Sequence, residues 1–546
     1  MQNKLLRVAD GVVLWLSILL FGFLTAASML STAYFTPDSS YGERPEYRWD
    51  VIPLNLLFLA AVAGILYILY KKQIFKKIST KMLAAIAVLF VIGMSVLWIQ
   101  ASHTYPEADQ KAVSWVSYLM TQNNFLFFEH GKYMQIYPNQ LGLAAILEAL
   151  YRLTGGENWK AFMYLTALAN GVVVYLLYRI TDRLYHDQNA DCLVLLASMG
   201  CIQIILYSTF LYGMMLGLAF ALWAFYALLL FLDHGKWRYT VSAGILIGIS
   251  ILVKNNYSIF LVALVILLLY DAVKKSVSTI KKEQMEQTAH RQPMLKTEES
   301  KLGTDQKENE KSGMGKAGKS FVAILIILGM TVILSKSLTA FYEHRSGIPI
   351  ESGMPKSLWV AMGMQEGERA EGWYNGFNFD TYVNSDCDPV VSDAIAREAI
   401  TESLQHFQKN PVYAARFYLR KTLSQWNEPT YEALWVNQFH SGDFSTIVQS
   451  IYEGKLYRVL SEYMNLFQLL VFAAVFAGLL IGRKGEKRWQ LTELFLPMVI
   501  LGGFLFHTIW EAKSQYIFPY FVCMLPAAAA GLSGVLGKWS PGNMGK

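Results

Sequence analysis

The sharpest chemical signal is a short acidic cluster, Tyr105-Pro106-Glu107-Ala108-Asp109-Gln110, directly after an apolar run. A carboxylate held there can accept a proton from a sugar or peptide hydroxyl, a general-base role that contributes about 10²- to 10⁴-fold. Taken alone, an acidic pair after an apolar run is an ordinary solvated cap, so the neighbouring sequence has to decide. Aromatic residues gather in a second region, at Trp359, Trp373, Tyr374, Trp426 and Trp435. Such rings stack on sugars, but they also form the aromatic belts of membrane interfaces. Trp426-Asn427-Glu428-Pro429 combines a ring with a carboxylate and is the most informative of them. The four cysteines, Cys192, Cys201, Cys387 and Cys523, are scattered, with neither disulfide nor zinc spacing, and read as packing residues.

The elements that must position these residues are apolar. Of 546 residues, 54% are hydrophobic and only 16% charged, too little charge to cover a soluble surface of this size. A hydrocarbon core of about 30 Å needs roughly 20 apolar residues per helix, and many windows qualify. The net charge of +6 carries no basic stripe interleaved with aromatics, which argues against nucleic acid as a partner.

Apolar runs fall near 11–33, 51–70, 83–100, 160–178, 191–207, 210–232, 239–253, 257–271, 320–338, 462–482, 491–508 and 516–536. Lys71, Lys72, Lys76, Lys77 and Lys81 mark the loop after the second run as cytoplasmic by the positive-inside rule. The turns at 233–238 and 483–488 then fall on the same side. The expectation is an all-α integral membrane protein with about twelve spans and both termini cytoplasmic. The stretch 139–153, apolar but carrying Glu148 and Arg152, reads as an interfacial helix, because a crossing there would put Arg179 and Arg183 outside.

The chain divides into a two-span N-terminal addition (1–80) and a membrane core (81–271) whose outer loop is 101–158. A basic, disordered cytoplasmic linker (272–319) leads to a further span (320–338). An extracytoplasmic, partly helical region (339–460) and a C-terminal three-span bundle (461–546) follow. The predicted spans are nearly free of carboxylates. This favours chemistry at the outer interface over a transporter or flippase of a lipid-linked saccharide, the alternative reading.

Residues 105–185 resemble the opening of a GT-C glycosyltransferase, of the kind grouped with protein O-mannosyltransferases and bacterial lipid A aminoarabinose transferases (glycosyltransferase family 39-like). The elements carrying the resemblance are Pro106-Glu107-Ala108-Asp109, the helix Ala112–Met120, Tyr137-Pro138-Asn139-Gln140-Leu141-Gly142, and Gly155-Gly156 before the next span. Gly248-Ile249-Ser250-Ile251-Leu252-Val253-Lys254 and Trp510-Glu511-Ala512-Lys513-Ser514-Gln515-Tyr516, with Pro519, are similar to two later family elements. Gln515 stands where the family usually has Arg, and Lys513 is its substitute.

The resemblance implies a GT-C-like fold and transfer of one sugar from a polyprenyl-phosphate donor to an acceptor outside the cytoplasm. That acceptor is a cell-envelope glycopolymer, a glycolipid or a protein, and the transfer usually inverts the sugar. Asp109 is then the base and Glu107 its neighbour. Lys254, Lys513, Arg345, Lys132 and His130 are the cations available to the donor phosphate. Tyr137, Asn139, Gln140, Trp426, Glu511 and Tyr516 are candidate acceptor or sugar contacts. Some family members use a divalent cation such as magnesium or manganese and others do not. If one is present here, Asp109 and Glu107 are its ligands.

Overall fold

The computed structural model describes residues 2–35, 44–291, 315–437, 440, 445–482 and 489–538. Among them, nine helices are long and apolar enough to cross a membrane, and the chain is a multi-pass membrane protein. The run expected at 191–207 is a bent pair, Gln188–Gly200 and Ile202–Thr209, turned by 52°. The expected count of twelve is reached if that pair and two shorter apolar helices, Trp237–Val253 and Phe495–Ile509, also cross.

The bundle is tied together by apolar helix faces and small residues. The Met214–His234 helix packs along Trp237–Val253, and the Lys455–Ile481 helix packs along Phe518–Lys538. Where the last two cross, a Cβ on Gly531 would lie 2.1 Å from the Ala474 carbonyl oxygen, so the small residue is what allows the approach.

One expectation changes. The segment after 271 is not irregular throughout: the helix Ser258–Arg291 runs on through it, and another begins at Lys316. Lys, Glu, Gln and Met are good helix formers, so low apolar content alone does not end a helix. The rest of the expected linker, like the 483–488 turn, lies outside the described residues. The segment before residue 50 holds an antiparallel pair, Ser31–Phe35 with Pro45–Trp49. The first helix of the two-span N-terminal addition is tied to the rest of the bundle. It packs on Lys455–Ile481, and the first strand is stitched inward, with the Ala33 N–H donating to the Asn427 carbonyl at 3.1 Å.

The interfacial reading of the early loop agrees with the geometry. Leu141–Thr154 has 14 residues, roughly 21 Å of helix at about 1.5 Å per residue, too short to cross about 30 Å. It packs on the Asp109–Thr121 helix, where the Ser114 and Tyr151 hydroxyls meet at 2.7 Å. The 339–460 region docks on this loop. The Met354 N–H donates to the Ile136 carbonyl at 3.2 Å, and Gly353, at φ +67°, lies so close to Pro138 that a Cβ would sit 2.3 Å from its Cδ.

Candidate active site

Asp109 is the first residue of its helix. Pro106 precedes the turn, and Ala108 takes φ +50°, a conformation unfavourable for a residue with a Cβ. Asp109 therefore sits in the first turn of its helix, at the positive end of the helix dipole. Glu107 points to Lys111, 3.4 Å away.

A cavity of about 110 Å³ opens beside this turn, lined by Glu107, Ala108, Asp109, Gln110, Phe210, Tyr212, Glu432, Trp435, Val436, Lys513 and Gln515. Four distant stretches of chain thus converge. Gln110 ties two of them, its Oε1 accepting the Leu211 N–H at 2.7 Å. Next door, Lys254 and Tyr516 line a smaller crevice with Met214, Asn256, Tyr257, Pro519 and Tyr520.

Tyr212 bridges the two spaces. Its hydroxyl donates to Oδ2 of Asp109 at 3.2 Å and accepts from the Gln140 amide at 2.6 Å. The Lys254 ammonium lies 3.6 Å from the centroid of the same ring and 5.6 Å from that of Tyr516. Two glycines make this approach feasible. Gly213, at φ +74°, brings the chain against Val253, where a Cβ would lie 2.6 Å from Cγ1. Gly142 packs its helix on Leu252, where a Cβ would be 2.2 Å from the carbonyl oxygen.

Electrostatics follow from this packing. Burial pushes the Lys254 ammonium down to about 7; Asp109 and Glu511 oppose the shift, while Lys513 adds to it. Burial raises Tyr212 well above its ordinary value, and the Asp109 charge adds to that, so its hydroxyl stays a donor. Tyr137 is raised by burial and then by the same carboxylate, which puts it within electrostatic reach of Asp109.

On the far wall, Lys513 lies 3.9 Å from Glu432. The same carboxylate accepts the Gln515 N–H at 3.1 Å and lies 3.0 Å from the Ser514 hydroxyl. Glu428 stands behind it, 2.9 Å from that hydroxyl, and accepts the N–H groups of Thr430 and Glu432 at 2.9 and 2.8 Å. Complete burial pushes Glu428 up to about 7, against the hydrogen bonds that favour its charge.

The structure therefore gathers Asp109, Glu107, Lys254, Lys513, Gln140 and Tyr516, with Tyr137 and Glu511 close by. The Tyr516 hydroxyl lies 3.5 Å from Glu511. Other candidates go elsewhere. Arg345 is used up in a buried cluster, 2.7 Å from Glu148, which also takes the Tyr342 hydroxyl and Arg152. Burial opposes charge on Glu148, yet these partners outweigh it and hold the carboxyl below its usual range. His130 faces Asp386 at 3.3 Å. Lys132 and Asn139 are exposed and line neither space. Trp426 is 1% exposed and packs on Phe504 and Tyr520, which makes it a core residue. Among the described residues no group of three or more His, Cys, Asp or Glu side chains is placed to hold a metal ion.

Sequence reasoning missed Tyr212, Glu432 and Ser514 as site residues. Tyr212 had a signal, the following Gly213 at a helix start. Glu432 had none, because its role depends on a fold that brings it against residues 83 positions away.

Residues 140–284 match the family model of dolichyl-phosphate-mannose-protein mannosyltransferase. The match takes in Gln140, Tyr212 and Lys254, and agrees with the GT-C resemblance carried by the motifs. No curated protein matches the chain. Among solved structures, the oligosaccharyltransferase of Archaeoglobus fulgidus tethered with an acceptor peptide is similar at 13% identity and TM-score 0.41, covering 85% of this chain and 50% of that one. Its apo form gives 14% identity and TM-score 0.39, covering 84% and 50%. The form in complex with Zn and sulfate gives 15% and 0.40, covering 83% and 48%. The chain thus spans about half the length of these structures.

Proposed function

We propose that this chain is a membrane glycosyltransferase that moves one sugar from a polyprenyl-phosphate donor to a hydroxyl acceptor on the extracytoplasmic face, with inversion. The observation that carries the reading is the convergence of the Asp109 carboxylate with two lysines, Lys254 and Lys513, on adjoining spaces. The family match over residues 140–284 supports the reaction class.

The chemistry follows from the charges. Asp109 takes the proton of the acceptor hydroxyl as its oxygen attacks the anomeric carbon. The bond from that carbon to the phosphate oxygen breaks, and the phosphate leaves on its lipid. An unpaired anion near hydrocarbon is costly, and Lys254 and Lys513 offset the charge that grows on it. Attack from the face opposite the leaving phosphate inverts the sugar. Tyr212 holds the carboxylate, and its ring carries the lysine. The lysine-rich loop at 71–81 supports cytoplasmic termini, with the site on the opposite face.

The experiment is to incubate purified protein in vesicles with a panel of polyprenyl-phosphate sugars and membrane acceptors. Sugar leaving the lipid for an acceptor supports the reading. Intact donor that changes leaflet contradicts it and supports a flippase.

A further inference from the structure

Glu432 is 0% exposed and holds three consecutive residues at once. Its carboxylate faces the Lys513 ammonium at 3.9 Å, the Ser514 hydroxyl at 3.0 Å and the Gln515 N–H at 3.1 Å. Such a set fixes both the backbone and the side-chain direction of the segment that bears the lysine.

The carboxylate is itself held in an unusual way. Tyr431 and Glu432 take φ +48° and +59°, left-handed conformations unfavourable for residues with a Cβ. Strain of this kind persists only where surrounding contacts over-determine it. Those contacts are present: the Gln203 amide donates to the Pro429 carbonyl at 2.8 Å, the Gln468 amide to the Tyr431 hydroxyl at 2.8 Å, and the Asn437 amide to the Ala433 carbonyl at 2.7 Å. The Tyr207 hydroxyl also bonds the Tyr431 carbonyl. The strained turn is thus anchored from behind by the bundle, and its one outward product is Glu432 at the cavity wall.

We infer that Glu432 is a positioning residue that presents Lys513 to the donor phosphate, so that the lysine recognises the phosphate group only when this carboxylate aims it. The inference rests on the proposed function and adds a residue to it. A lysine is a flexible point charge without the pre-organised fork of arginine. At the position where Gln515 provides no charge, a fixed carboxylate supplies the missing direction.

The test is a double-mutant cycle with Glu432→Gln and Lys513→Ala, measuring KM for a polyprenyl-phosphate sugar alongside kcat. Each single variant is expected to raise KM by about ten- to a hundredfold, the range of one charge-assisted contact, and to lower kcat alongside it, because Lys513 also offsets the charge that grows on the leaving phosphate. The double variant is expected to be no worse than Lys513→Ala alone. An unchanged KM in Glu432→Gln, or losses that multiply in the double variant, overturns the inference. If Glu432→Gln fails to accumulate, Glu432→Asp carries the same comparison: its shorter reach raises KM, and Lys513→Ala removes the difference between Asp and Glu. Thermal stabilisation by a polyprenyl phosphate lacking a sugar separates the two claims. Stabilisation of the wild type that Glu432→Gln weakens, without transfer from any donor, keeps the inference and removes the glycosyltransferase reading. No stabilisation of the wild type and no transfer removes both.

Discussion

The Tyr212 hydroxyl donates to Oδ2 of Asp109 at 3.2 Å, and the ring below that hydroxyl carries Lys254 at 3.6 Å. One side chain therefore links the carboxylate assigned as base to a cation assigned to the leaving phosphate. Tyr212→Phe keeps the ring and removes the hydrogen bond. It is expected to lower kcat about tenfold, the value of one bond to a charged group, and to leave donor KM near wild type. Steady-state kinetics on both substrates check this; an unchanged kcat would remove Tyr212 from the orientation of Asp109.

Lys254 gives the activity a pH dependence. Burial favours its neutral form and sets it at about 7, whereas the donor phosphate needs the ammonium. The charge is present below that value and lost above it, so donor KM is expected to rise as pH climbs through about 7. Lys254→Arg, whose guanidinium stays charged, should flatten that limb. A KM–pH profile for the two proteins decides it.

Gly142 tests the packing beneath the site. A methyl group there would meet the Leu252 carbonyl oxygen at 2.2 Å. Gly142→Ala is expected to destabilise the protein by about 1–3 kcal/mol through overpacking and to loosen Gln140 from Tyr212. A lowered Tm with reduced kcat is the expected pair of readings.

Lys421 tests the docking of the 339–460 region. Only 1% exposed, it donates to the carbonyls of Gly363 and Trp510, the latter at 2.8 Å, and burial pushes its ammonium down to about 7. Lys421→Met leaves both carbonyls without that donor, at about 1–3 kcal/mol for each buried group left unpaired. Hydrogen exchange is expected to rise in 356–372 and in 510–516 together, because the Ala512 N–H also bonds the Gly372 carbonyl at 2.8 Å.

Much of the membrane architecture was legible because the bilayer imposes a length and a polarity on each helix. The short 139–153 stretch was read as interfacial for the same reason. Asp109, Lys254 and Lys513 stood out through charge at the ends of apolar runs. What stayed hidden depends on tertiary contact. Arg345 has the charge a phosphate site needs, but Glu148 takes it up, and nothing local in the sequence encodes that pairing. Trp426 belongs to an aromatic cluster whose partners lie about 80–95 positions away (Phe504, Tyr520). Glu432 became visible only once a strained turn brought it against the segment 513–515.

The most direct measurement is transfer of radiolabelled sugar from polyprenyl-phosphate donors by wild type and Asp109→Asn, after both are shown to fold and accumulate equally. The account predicts transfer by the wild type and a loss of about a hundredfold or more in the variant. Equal transfer by the two proteins would contradict the assignment of Asp109 as the base.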